Sequence, residues 1–166
     1  MADPLNIPFD VPIVPDTATV KHTGVVMQCP VRLGSKADNG DLKTLPLEPW
    51  VSVRGRSVVA IRGVSKKVGG GSVKEKFATD DYEVTLTGTL YSGDEGVFPE
   101  EWVAWLKSLC EANKSIKVLS KLTQALGIDH IAVLDWSFPE TQGVAWQNFS
   151  IRGISDDPYF ELVVKS

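Results

Sequence analysis

One stretch limits what this chain can fold into more than any other: DDYEVTLTGTLYS, residues 80–92. Tyr82, Val84, Leu86, Gly88 and Leu90 alternate there with Glu83, Thr85, Thr87 and Thr89. A period of two sends successive side chains to opposite faces of a strand. One face is therefore apolar and the other is a row of Thr and Glu. Such a strand needs a core on one side and accepts water on the other.

The segments around it read as strands too. WVSVRGRSVVAIRGV, residues 50–64, gives two short strands around Arg54-Gly55-Arg56, with Val51 and Val53 on one face, then Val59 and Ile61. SVKEKF, 72–77, alternates in the same way. FPEEWVAWLKSLCEANKS, 98–115, predicts the main helix: Pro99 suits the first turn, and Glu100 and Glu101 complement the dipole. Trp102, Trp105, Leu106 and Leu109 fall at helical spacing on one face. IKVLS then gives a short strand, and SKLTQALGI a helical turn with Ser120 as N-cap and Gly127 as stop. HIAVLDW, AWQNFSIRGIS and YFELVV supply three closing strands. This order predicts an α+β fold with β dominant, an antiparallel barrel or sandwich with one main packed helix.

Residues 1–45 read differently, as an extended Pro-rich arm ahead of a β-rich domain at 46–166. Pro4, Pro8, Pro12 and Pro15 forbid helix, yet Leu5, Ile7, Phe9, Val11, Ile13 and Val14 between them are too apolar for a solvated linker. An apolar arm with few hydrogen bonds of its own lies on something, either its own domain or a neighbour. GSKADNGDLK, 34–43, is a polar loop turning at Asn39-Gly40.

Composition removes several function classes. Hydrophobic residues are 43% and charged residues 23%, as in a water-soluble globular protein, and no apolar run is long enough to cross a bilayer. MADPLNIPFDVPIVPD has neither a basic start nor an apolar h-region, which points to the cytosol or a particle assembled there. A net charge of −4 argues against a dedicated nucleic-acid binder. Cys29 and Cys110 stand far apart and read as two reduced thiols, Cys110 on the apolar stripe of the helix.

The catalytic candidates are then few. KKVGGGSVKEKF, 66–77, has the glycines of a phosphate loop, but no Lys-Ser or Lys-Thr pair follows Gly71 and a strand pattern replaces the required helix. The hairpin tip is the simpler reading. His22 and His130 have no serine elbow to serve, and Asp129 beside His130 points to the other face of its strand. Asp80-Asp81 and Asp156-Asp157 offer calcium-type oxygens but sit where turns begin. Of the five tryptophans, Trp102 and Trp105 belong to the helix core face. Core packing is the default for Trp50, Trp136 and Trp146 near strand ends, with a sugar-binding or subunit-contact surface as the alternative. No catalytic residue, cofactor or metal site is expected.

GSVKEKFATDDYEVTLTGTL, FPEEWVAWLKSL, LGIDHIAVLDW and NFSIRGISDD occur in that order. This run resembles an uncharacterised family of phages and prophage-like elements of Bacteroidetes, over residues 46–162. It is similar, more loosely, to the tail-tube and baseplate-adaptor proteins of phage tails and contractile injection systems. The resemblance implies a non-enzymatic virion subunit, assembled in the bacterial cytoplasm. It would form a ring, a hexamer or a multiple, with itself and meet neighbouring tail and baseplate proteins. No specific nucleic acid, membrane or cofactor is implied. Strands 50–64 and 73–92 would build the wall and helix 99–113 would pack outside it. Phe9 and Ile13 of the arm, and Gly69, Gly70, Gly71, Lys74 and Lys76 of the glycine hairpin, are the expected subunit contacts. The alternative is a carbohydrate- or cell-wall-binding module using the surface tryptophans.

Overall fold

The alternating stretch forms β8, Glu83–Tyr91, with Val84, Leu86 and Leu90 fully buried and the intervening threonines turned to the other face. The computed structural model describes residues 18–19, 26–35, 42–63, 71–141 and 143–156. Ahead of β8 lie β1 (Ala18–Thr19), β2 (Val26–Met27), β3 (Arg32–Ser35), β4 (Lys43–Thr44), β5 (Trp50–Arg54), β6 (Ser57–Gly63) and β7 (Ser72–Thr79). After it come α1 (Glu100–Glu111), β9 (Ile116–Leu119), α2 (Lys121–Ala125), β10 (His130–Ser137) and β11 (Trp146–Asp156). The expected closing strand YFELVV lies outside the described residues.

Seven strands make one antiparallel sheet in the order β4-β3-β9-β10-β11-β8-β5, curled into a half-barrel. The fold is β-dominant α+β, as the pattern of elements predicts. β3 and β4 bring Leu33 to the core, and the Leu45 N–H, just past β4, donates to the Val31 carbonyl at 3.0 Å. β1 and β2 pair separately.

Register fixes which side chains share a face. Val51, Leu86, Ile151 and Trp136 form one row across β5, β8, β11 and β10, on the core side. The next row, Trp50, Thr87, Ser150 and Ser137, lies on the opposite side. On that polar side the Thr89 hydroxyl donates to Asn148 Oδ1 at 2.8 Å. Arg152 there reaches Asp135 at 2.9 Å and Glu83 at 3.7 Å.

α1 covers the core side. Leu106 and Leu109 are buried, Trp102 and Trp105 pack edge to face at 5.6 Å, and the Lys43 ammonium sits 5.4 Å from the Trp105 ring centre. The Pro99 carbonyl accepts the Val103 N–H at 3.1 Å, which fixes the start of the helix. α2 has the expected cap in full: Ser120 Oγ accepts the Thr123 N–H at 3.1 Å, and the Ser120 N–H donates to Thr123 Oγ1 at 3.0 Å. Gly127, at φ +70°, ends that turn in the left-handed region.

The single wall expected from strands 50–64 and 73–92 divides in two. β5 and β8 belong to the seven-stranded sheet, whereas β6 and β7 form a two-stranded ribbon of their own. Gly55-Arg56 on one strand and Asp80–Tyr82 on the other interrupt the ladder, so the β5–β8 pair continues past the sheet as an arm.

Candidate assembly surface

The arm begins at a braced joint. A side chain at Gly55 would meet the Tyr82 ring at 3.1 Å, so the ring lies against bare backbone there. The Tyr82 N–H donates to Ser155 Oγ at 2.9 Å, and its carbonyl accepts the Ser155 N–H at 2.7 Å. The Asp80 N–H donates to the Arg56 carbonyl at 2.8 Å. The two bonds to Ser155 tie the base of the arm to β11, the third joins its two strands, and beyond them β6 and β7 form a sheet of their own.

From Ser57↔Thr79 to Gly63↔Ser72 the two strands stay paired, with one irregularity between Val58 and Val59. At about 3.3 Å per residue the ribbon extends roughly 20 Å from the joint. All eight residues of β7 are exposed, and all of β6 except Ala60. Apolar side chains stand on both of its faces. Val59 and Ile61 share one face with Lys76 and Lys74, their direct partners, while Val58 and Val73 fall on the other. Ile61 is 66% exposed and Phe77 65%.

Of the expected contact residues, Lys74 and Lys76 therefore stand together, each beside an apolar residue of β6. Gly71 is exposed at the start of β7 with φ +146°. Gly69, Gly70, Phe9 and Ile13 lie outside the described residues. The sequence reading names the lysines but takes Val59 and Ile61 as an ordinary strand face. The charged composition of SVKEKF was a partial signal that no core covers them, and their direct pairing with its lysines emerges only from the register.

The three strand-end tryptophans do not form one surface. Trp136 is in register with Ile151 on the core side, edge to face with Phe138 at 5.7 Å, whereas Trp50 and Trp146 lie on the polar side. Trp50 is 82% exposed on the edge strand β5, and Trp146 stacks on Tyr91 at 4.3 Å. Of the acidic doublets, Asp80 Oδ1 accepts the Asp81 N–H at 3.1 Å, a turn-forming bond, and Asp156 accepts the Ser115 hydroxyl. Asp157 lies outside the described residues. His130 is half-buried, paired in register with Lys117 and Asp156. Among the described residues no three His, Cys, Asp or Glu converge as metal ligands, and no helix is long and apolar enough to cross a membrane.

Fold and surface together define a β-dominant α+β domain with a projecting two-stranded arm. The chain belongs to the family described as a domain of unknown function, DUF6046, whose model matches residues 44–166. Among solved structures it is similar to the Dit protein (gp 19.1) of phage SPP1, a hub protein of the adsorption apparatus of phages infecting Gram-positive bacteria. The identity is 12% and the TM-score 0.45, over 77% of this chain and 50% of that one. This chain thus spans half the length of that protein. It is also similar to the sheath/tube terminator of PVC, an extracellular contractile injection system, in the extended state. There the identity is 17% and the TM-score 0.38, over 78% of this chain and 89% of that one. No curated protein matches the sequence.

Proposed function

We propose that this protein is a structural subunit of a phage tail or tail-like particle, a ring-forming tube or baseplate-adaptor component that acts by self-assembly. One observation carries the reading: the β6–β7 arm is wet on both faces and nonetheless carries Val58, Val59, Ile61, Val73 and Phe77 exposed. A two-stranded ribbon without a third strand or a covering helix is marginally stable in water. Full burial of each large apolar side chain contributes about 1.5–3 kcal/mol, so a neighbour that covers the ribbon stabilises it substantially. The motif run over residues 46–162 supports placing that neighbour in a tail assembly. Subunits of this kind assemble in the bacterial cytoplasm and remain in the virion, in contact with one another and with adjoining tail and baseplate proteins.

The sugar-binding alternative needs its three tryptophans on one surface, and Trp136 faces the core. Negative-stain electron microscopy of the concentrated full-length protein tests the assembly reading. Closed rings are the expected result; featureless single particles at every concentration would contradict it.

A further inference from the structure

Charge is distributed unevenly along this molecule. Residues 54–63 and 71–81, the described arm with its joint, carry five Lys or Arg against three Asp or Glu, a net +2. The chain as a whole is −4, so the rest of the sequence is −6. No ion pair among the described residues engages Arg62, Lys74 or Lys76.

The opposite pole is the mirror of this. β8 runs away from the joint and ends at Tyr91, in register with Trp146, where β11 begins. Two segments lie at that end of the sheet, residues 92–101 leading from β8 into the first turn of α1, and residues 137–141 with 143–146 between β10 and β11. Together they hold five acidic residues, Asp94, Glu95, Glu100, Glu101 and Glu140, and no Lys or Arg. All five are exposed. The same segments expose Val97 at 53% and Val144 at 60%, with Phe98 and Trp146 less so. One pole is thus basic and apolar and the other acidic and apolar.

We infer that the arm of one copy docks head to tail on the acidic end of a second copy. Lys74 and Lys76 would face the carboxylates, and Val59 and Ile61 would cover Val97 and Val144. Unlike patches on opposite poles make a heterologous contact, which yields a closed ring or an open filament rather than a two-fold dimer. Complementary charge sets register and speeds encounter, and the buried apolar residues hold the contact. This inference rests on the self-assembly reading and specifies its interface.

Two full-length double variants test it, Lys74→Glu/Lys76→Glu on the arm and Asp94→Lys/Glu95→Lys on the far loop. All four positions are exposed, so both variants should melt as wild type does. Each alone should associate at least about tenfold more weakly in sedimentation velocity at low salt, because every copy then has one spoiled pole. Mixed one to one they should recover association, since each pole again meets its opposite. Wild-type association in both variants, or loss in each without recovery on mixing, would overturn the head-to-tail contact while leaving self-assembly standing. A wild-type protein that stays monomeric would overturn both.

Discussion

Gly153 and Cys110 show how much of this fold is settled by single atoms. A Cβ at Gly153 would lie 2.7 Å from the Ala132 carbonyl oxygen, backbone that cannot swing aside. It stands beside the irregular step between Val133 and Asp135, where β10 and β11 shift register. Gly153→Ala should therefore destabilise the domain by roughly 1–3 kcal/mol, read from the midpoint of urea unfolding. The Cys110 thiol is pushed up from 9.0 to about 11, first by burial and then by the charge of Glu111. The folded state thus favours the neutral thiol. Its contribution is complete below pH 9 and is lost as pH rises toward 11, so stability should decline over that window and decline less in Cys110→Ala. At pH 8 an alkylating reagent should modify exposed Cys29 well before Cys110. Cys110 could be placed on the core stripe from helical spacing alone. The close approach at Gly153 could not, because it depends on a register irregularity between strands that no local pattern encodes.

At the scale of elements, legibility followed how locally each one is specified. β8 was readable because its core-facing residues alternate without a break, and α2 because its cap, Ser120 with Thr123, is written within four residues. Ser120→Ala should cost about 1 kcal/mol in thermal unfolding, since it leaves the Thr123 N–H without its acceptor in a buried site. β3 was not readable: Arg-Leu-Gly-Ser has no periodicity of its own, and along its whole length it pairs with β9, more than eighty positions away, with β4 on its other side. The division between sheet and arm was hidden for a related reason. Val51 and Val53 have the same alternation as Val59 and Ile61, but only the first pair has a core beneath it. Ile61→Asp consequently should leave the melting temperature within a degree or two of wild type while weakening association, whereas Val53→Asp, against the core, should lower it markedly. Differential scanning calorimetry and sedimentation on the same samples separate the two effects.

The described residues form a curled sheet with α1 on its core side, a polar opposite face, and an arm that leaves from its edge. Nothing in the sequence alone gave the direction of that arm or the face of Trp136, because both depend on how distant strands stack. The charge asymmetry was present in the sequence from the outset. It acquired meaning only when the register placed residues 92–101, 137–141 and 143–146 at the pole away from the joint. If charge steers the contact, raising sodium chloride from 0.05 to about 0.5 M should weaken association severalfold, and the apolar residues should retain part of it. The proposed function requires this chain to assemble with itself, and a sedimentation-velocity concentration series on the full-length protein is the decisive test. The monomer boundary should give way, as concentration rises, to one larger species of fixed size. A single monomer boundary at every concentration would contradict it.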